Sequence, residues 1–154
     1  MSKTLVAYFS WGGKTKALAR AVAVKGGADL FQIRTIKDYS RIYLVAIGEA
    51  KLEHIKNERP ALIGKPADFG QYDKVMIGFP IWWFTCPNAI LSFLEQNDFK
   101  GKTIIPFCTY GSSGKGNSEA DMAAACPDAI FEPCIEATGL KDAAVRTLAE
   151  LARN

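Results

Sequence analysis

Three short segments of this 154-residue chain hold the residue types that could do chemistry. The first is Ser10, Trp11, Gly12, Gly13, Lys14 and Thr15, between an apolar run and the start of a helical pattern. Two glycines let the backbone turn its N–H groups inward, two hydroxyls add donors, and a helix N-terminus adds positive potential. Together these parts make a phosphate cradle; the plainer alternative is a tight strand-to-helix turn with a threonine near the cap. The second segment is Pro80, Ile81, Trp82, Trp83, Phe84 and Thr85. Three consecutive aromatics are costly to bury in one core, so at least one should face solvent or a ligand, and a flat aromatic suits a planar ring. The third is Thr109, Tyr110, Gly111, Ser112, Ser113 and Gly114, rich in glycine and small hydroxyls. Such a loop can bring backbone N–H groups against a ligand edge, although many loops share this composition. A phosphate cradle, a stacking wall and a hydrogen-bonding edge fit a planar redox ring that bears one phosphate.

Other chemistries are excluded by spacing. Gly13-Lys14-Thr15 resembles the tail of a nucleoside-triphosphate loop, but that loop needs glycine where Tyr8 stands. The dinucleotide fingerprint G-x-G-x-x-G is absent from this loop. The four cysteines, Cys86, Cys108, Cys126 and Cys134, make no C-x-x-C pair, and His54 is the single histidine. A zinc site or a dithiol redox motif is therefore unsupported, and the cysteines read as small buried apolar residues. Cys86, close to the second segment, reads as a packing residue. His54 lies in a charged helical stretch and reads as solvated.

The elements that must position the three segments alternate between strand-like and helix-like runs, the mark of βαβ units around a parallel sheet. Residues 4–9, 74–79 and 103–108 are near-continuous apolar runs, as central parallel strands should be. Each precedes one of the three segments, and open parallel sheets bind ligands beyond the carboxyl ends of their strands. Leu18, Ala19, Val22 and Ala23 recur at helical spacing before Gly26-Gly27 stops the helix. Residues 30–36 alternate like a less buried edge strand, and 40–58 read as a helix ended before Pro60. Pro87 suits the first turn of a helix whose inner face is Ile90, Phe93 and Leu94. Ser118 and Asp121 have capping-box spacing. Residues 130–136 read as a fifth strand, placed at an edge by Pro133. Val145, Leu148 and Leu151 mark the last helix.

Bulk properties bound the class. One domain over residues 1–154 is expected from length, and 49% hydrophobic with 23% charged residues is a globular composition. The longest apolar cluster, residues 75–84, is broken by Gly78 and Pro80, so no membrane span is expected. Residues 1–3 lead straight into a strand without a signal-peptide layout, which makes the cytoplasm the expected location. The net charge of +3 comes from scattered lysines and arginines, so no nucleic-acid stripe is expected. The oligomeric state is not legible.

Residues 3–15 resemble the first strand and phosphate loop of flavodoxins. Residues 78–83 resemble the second flavin loop of a bacterial flavodoxin-like branch, and residues 101–109 its fourth strand. The resemblance spans essentially the whole chain. It implies an α/β fold with three layers: a doubly wound, five-stranded parallel sheet in the order 2-1-3-4-5, of the short-chain type. It also implies non-covalent FMN and electron transfer, with a redox partner protein or a small-molecule electron acceptor. By position, Ser10 to Thr15 would hold the phosphate, Pro80 to Thr85 would flank the isoalloxazine with Trp82 or Trp83 stacking, and Thr109 to Gly114 would meet its pyrimidine side. The flavin would carry the chemistry, so no catalytic side chain is nominated.

Three departures qualify that picture. Gly12, Gly13 and Lys14 replace the usual residues before Thr15. Phe84 stands where the branch commonly has glycine, and a phenylalanine is expected to resist left-handed backbone angles. The chain is slightly basic where electron shuttles are usually acidic. An FMN-dependent NAD(P)H or quinone oxidoreductase is accordingly a rival reading, and a module with a decayed flavin site is a third.

Overall fold

The computed structural model describes residues 3–110, 113–137 and 142–154. In chain order the elements are β1 (Lys3–Tyr8), α1 (Lys14–Gly26), β2 (Asp29–Gln32), α2 (Tyr43–Lys56), β3 (Tyr72–Pro80), α3 (Asn88–Gln96), β4 (Thr103–Thr109), α4 (Ser118–Ala125), β5 (Ile130–Phe131), β6 (Ile135–Glu136) and α5 (Asp142–Arg153). The strands form one parallel sheet in the order β2-β1-β3-β4-β5, and β6 also pairs with β4.

The period-two alternation of strand side chains splits the core into two layers. Leu5, Ala7 and Phe9 of the first strand run, with Val75, Ile77 and Phe79 of β3, pack under α3 and α4. Val6, Tyr8, Met76, Ile105 and Phe107 pack under α1 and α5. Two glycines make close approaches possible. A Cβ on Gly78 would stand 2.4 Å from the Phe107 ring, and one on Gly26 would stand 2.7 Å from the Ala152 Cβ where α1 meets α5. Gly27 then closes α1 in the left-handed region, its N–H donating to the Ala23 carbonyl, as the Gly26-Gly27 stop predicts.

Several boundaries differ from those the sequence suggests. The run 30–36 is in register with β1 only at 29–32, where Tyr8 lies opposite Gln32. After Ile33 it turns away, and Thr35 pairs antiparallel with Leu62. Residues 130–136 are not one strand. The Glu132 N–H still reaches the Ile104 carbonyl at 2.9 Å, but Pro133 has no N–H to donate, the ladder lapses at 133–134, and pairing with β4 resumes at Ile135. Pro87 caps α3 from outside rather than occupying its first turn. Ser118 is already helical, so the cap is Asn117 and no capping box forms. The Ser118 hydroxyl donates to the Lys115 carbonyl, and Asp121 is occupied by Thr85. Among the described residues no helix is long and apolar enough to cross a membrane.

The register levels the ends of the three central strands. Tyr8 lies opposite Gly78, and Gly78 lies opposite Phe107. The three segments singled out from sequence therefore leave the sheet side by side at the carboxyl ends of its central strands.

Candidate functional site

The first loop leaves β1 with the Phe9 N–H bound to the Gly78 carbonyl at 2.9 Å. Ser10 then folds its hydroxyl under the turn and accepts the Gly13 N–H at 3.1 Å. Gly13 has φ of 95° and ends the loop as the cap residue of α1. No side chain caps this helix and no acidic residue lies in its first turn. The amides of the first turn have no acceptor within the helix, and they carry the positive end of its dipole. A Cβ built on Gly12 or Gly13 would meet nothing within 4 Å, so the loop backbone faces open space. The amides and hydroxyls can all donate, the exposed Lys14 adds a cation, and the loop carries no carboxylate, a set that suits a phosphate.

Thr15 is only 2% exposed, and its hydroxyl pairs with that of Thr109 at 2.8 Å. That bond ties the first loop to the third. One of the two hydroxyl protons is used in it, and the other remains to donate. Trp11 is held to the approach to α2: its indole N–H donates to the Ser40 carbonyl at 2.8 Å, and its ring lies 5.9 Å from that of Tyr43.

The second loop is a two-residue hairpin. The Ile81 N–H is bound to the Thr109 carbonyl at 2.9 Å, and Pro80 lies opposite Thr109 in register. Trp82 and Thr85 then exchange backbone hydrogen bonds of 2.9 and 3.4 Å. The two residues between them, Trp83 and Phe84, both have positive φ, 55° and 63°. This is the turn that closes tight hairpins and ordinarily takes Asn-Gly. The expectation that Phe84 refuses the left-handed region is thus corrected, and Trp83 joins it there. Each such residue costs about 1–3 kcal/mol, which persists only where the surroundings impose it.

The surroundings do impose it. The Phe84 carbonyl accepts the Asn117 N–H at 2.8 Å. Gly116 lies so close that a Cβ there would stand 1.9 Å from the same oxygen. The Thr85 hydroxyl donates to Asp121. The Trp83 indole donates to the Ile47 carbonyl at 2.8 Å, with the Lys51 ammonium 4.7 Å from its ring. Trp82 meets Phe9 and Tyr39 edge-on, at 5.5 and 5.2 Å. Phe84 itself is 64% exposed. The hairpin walls a depression of about 300 Å³ together with Tyr43, Ile47, Ile81 and Ser113.

In the third loop Thr109 is buried and Tyr110 packs half-buried against the core. Gly111 and Ser112 lie outside the described residues. Gly114 has φ of 68° and sits against Glu136, whose carboxylate accepts the Lys115 N–H at 2.9 Å. Lys115 also pairs with Glu119 at 2.8 Å, which pulls the Glu119 carboxyl below its ordinary value.

A buried pair lies behind the hairpin and was not apparent from sequence. Glu53 is 3% exposed and takes the Tyr39 hydroxyl as a donor. Burial pushes the Glu53 carboxyl up, and burial followed by the Glu53 bond pushes the Tyr39 phenol up. The only foreshadowing is that Ala46, Ala50 and Glu53 fall on one helical face. The four cysteines are free and buried. Burial, reinforced by Asp121, pushes the Cys86 thiol up to about 12, which suits the packing role and removes it as a nucleophile. The hydrogen bond with Cys108, then burial, also raises the Cys134 thiol. His54 is exposed, as read from its charged surroundings.

Comparison with known proteins agrees with this fold. A family model described as flavodoxin matches residues 3–150. A candidate flavoprotein from Bacteroides eggerthii is 32% identical, covers 100% of this chain and 99% of its own, and superposes with a TM-score of 0.87. A flavoprotein from Lactobacillus acidophilus, solved in complex with FMN, shares the fold with a TM-score of 0.81 at 18% identity, over 97% of this chain and 99% of its own. An NAD(P)H dehydrogenase (quinone) from Cupriavidus metallidurans is 31% identical over 96 residues, which is 62% of this chain and 47% of that protein. The chain spans about half the length of the curated relatives it matches.

Proposed function

The chain belongs to the flavodoxin family, and from that premise we propose that it binds FMN non-covalently and transfers electrons with it. The observation that carries this reading is the uncapped, acid-free N-terminus of α1 opening at Gly12 and Gly13, level with the aromatic hairpin and with Thr109. FMN, when bound, supplies the redox chemistry by accepting and releasing electrons. The chain's own residues do the rest. The amides of residues 14–16, the hydroxyls of Ser10 and Thr15, and Lys14 hold the phosphate. Trp82, Trp83 and Phe84 flank the ring and exclude water from it. Thr109, Tyr110 and the residues to Gly114 meet its polar edge. Residues 1–154 act as one domain in this account, and the free cysteines suit a reducing cytoplasm.

The second reading concerns the electron source. The net charge of +3 does not suit docking on basic partner proteins. The curated relatives are NAD(P)H dehydrogenases (quinone). A small-molecule cycle fits both facts: NAD(P)H and a proton with a quinone give NAD(P)+ and the quinol, two electrons passing in all. Assaying the FMN-reconstituted protein with NADPH and a soluble quinone tests it. Rapid, quinone-dependent NADPH oxidation is the expected result. If a flavodoxin reductase or a ferredoxin exchanges electrons with the protein while NADPH and quinone do not, the chain is a shuttle instead.

A further inference from the structure

A second groove, separate from the depression under the hairpin, opens beside the phosphate loop. It has a volume of about 610 Å³ and lies on the other flank of the phosphate loop, between Ser10–Gly12 and the segment that leaves β2. Its origin is topological. β2 follows β1 as far as Ile33, whose N–H binds the Tyr8 carbonyl at 2.7 Å. The chain then diverges to pair with residues 61–63, and the gap opens where the two strands separate.

Its walls are held before any ligand arrives. The Arg34 carbonyl accepts the Ile63 N–H at 2.8 Å. Ser40 is fixed twice, its carbonyl by the Trp11 indole and its N–H by Glu49 at 2.8 Å, which sets the positions of Asp38 and Arg41 on either side. Tyr39 is anchored through its hydroxyl on buried Glu53, and its ring meets both Phe9 and Trp82 edge-on. Phe9 and Tyr39 line the groove and both touch Trp82 of the hairpin, so aromatic contacts join the two.

The charge is uneven. Arg34 and Arg41 are exposed to the groove, and among the described residues neither guanidinium takes part in an ion pair. Asp38 is the groove's one carboxylate. Two cations against one anion select an anionic occupant, and planar guanidinium forks match phosphate oxygens. The volume suits a nucleotide moiety rather than a lone ion. Tyr39 and Trp11 add aromatic rings to the lining.

We propose that this groove is a subsite for the 2′-phosphoadenosine end of NADPH, with Arg34 and Arg41 holding the 2′-phosphate. Arginine is the residue that admits a 2′-phosphate in dinucleotide sites, where a carboxylate alone favours the free 2′-hydroxyl. The inference rests on the nicotinamide-dependent reading above, and it predicts a preference for NADPH over NADH.

The test uses the FMN-reconstituted protein and adenosine 2′,5′-bisphosphate as probe, compared with adenosine 5′-monophosphate and inorganic phosphate by calorimetry. The bisphosphate should bind at least about tenfold tighter than either. In the double variant Arg34→Ser with Arg41→Ser that advantage should vanish, and the ratio of the KM values for NADH and NADPH should fall toward one. Equal binding of the two adenosine nucleotides, equal binding of bare phosphate, or release of FMN by the bisphosphate would each overturn the proposal. The two readings can fail separately. A protein that oxidises neither nicotinamide but binds the bisphosphate through the arginines keeps the subsite and loses the enzyme. One that oxidises both cofactors alike, with the double variant unchanged, keeps the enzyme and loses the subsite.

Discussion

The first and second loops leave neighbouring strands at the same level, and they are built in opposite ways. The phosphate loop is defined by what it leaves open. Two glycines have empty space where side chains would be, and the helix behind them lacks both a cap and an acid. The hairpin is defined by what it fixes. Two bulky aromatics are held in the left-handed region by partners on α2, on α4 and in the loop before α4. The contrast follows the ligand each would meet. A phosphate needs unspent N–H groups, whereas a flat ring needs a rigid wall.

Substitutions that exchange these two designs break or sharpen the comparison. The largest effect is expected from Gly116→Ala. The new Cβ would overlap the Phe84 carbonyl oxygen at 1.9 Å, and the residue sits at φ of 55°. A destabilisation of about 3 kcal/mol or more is expected in chemical unfolding, because the hairpin and the loop that clasps it must separate. In the phosphate loop, Lys14→Glu puts an acid in the empty first turn. It should stabilise the FMN-free protein by about 0.5 kcal/mol through the helix dipole, yet weaken FMN binding roughly tenfold or more. Opposite signs for stability and affinity are the mark of a helix end kept free for an anion.

Phe84→Gly should release strain at the hairpin. Phe84 is 64% exposed, so little burial is lost, and a gain of about 1 kcal/mol in the FMN-free protein is expected by thermal melting. A loss instead would mean that the phenyl ring does more for the fold than its exposure suggests. The smallest effect concerns pH. Burial raises the Glu53 carboxyl above the ordinary 4.5. The folded protein therefore holds a proton that the unfolded chain gives up, and Glu53 favours folding less as pH rises from 4.5 through the raised value. Glu119, whose carboxyl is lowered by Lys115, acts on the other side, losing its contribution as pH falls below 4.5. Melting temperatures across this range should show that Glu53→Gln flattens the upper limb and leaves the lower one.

Much of this contrast was legible in the chain. The three apolar runs gave away the central strands, and the glycines, aromatics and small hydroxyls that follow them marked all three loops. What was hidden depends on partners distant in sequence. Trp83 and Phe84 oppose a left-handed turn by their own preferences, and partners far away in the chain, Ile47, Gly116, Asn117 and Asp121, hold them in it. Ser118 and Asp121 have the spacing of a cap, but Thr85 claims the carboxylate. Thr15 reads as a phosphate ligand, and its bond to Thr109 appears only once β1 and β4 are placed in one sheet. The arginine groove was invisible because the alternation over residues 30–36 continues past the point where β2 leaves β1.

The most direct test of the account is a titration of the flavin-free chain with FMN, followed by flavin and tryptophan fluorescence together. A preformed cradle beside a preformed aromatic wall predicts one-to-one saturation with a Kd of about 1 μM or tighter, and quenching of both signals at the same equivalence point. A chain that leaves flavin emission unchanged up to about 100 μM would contradict it, because the open helix end and the strained hairpin would then have no shared ligand.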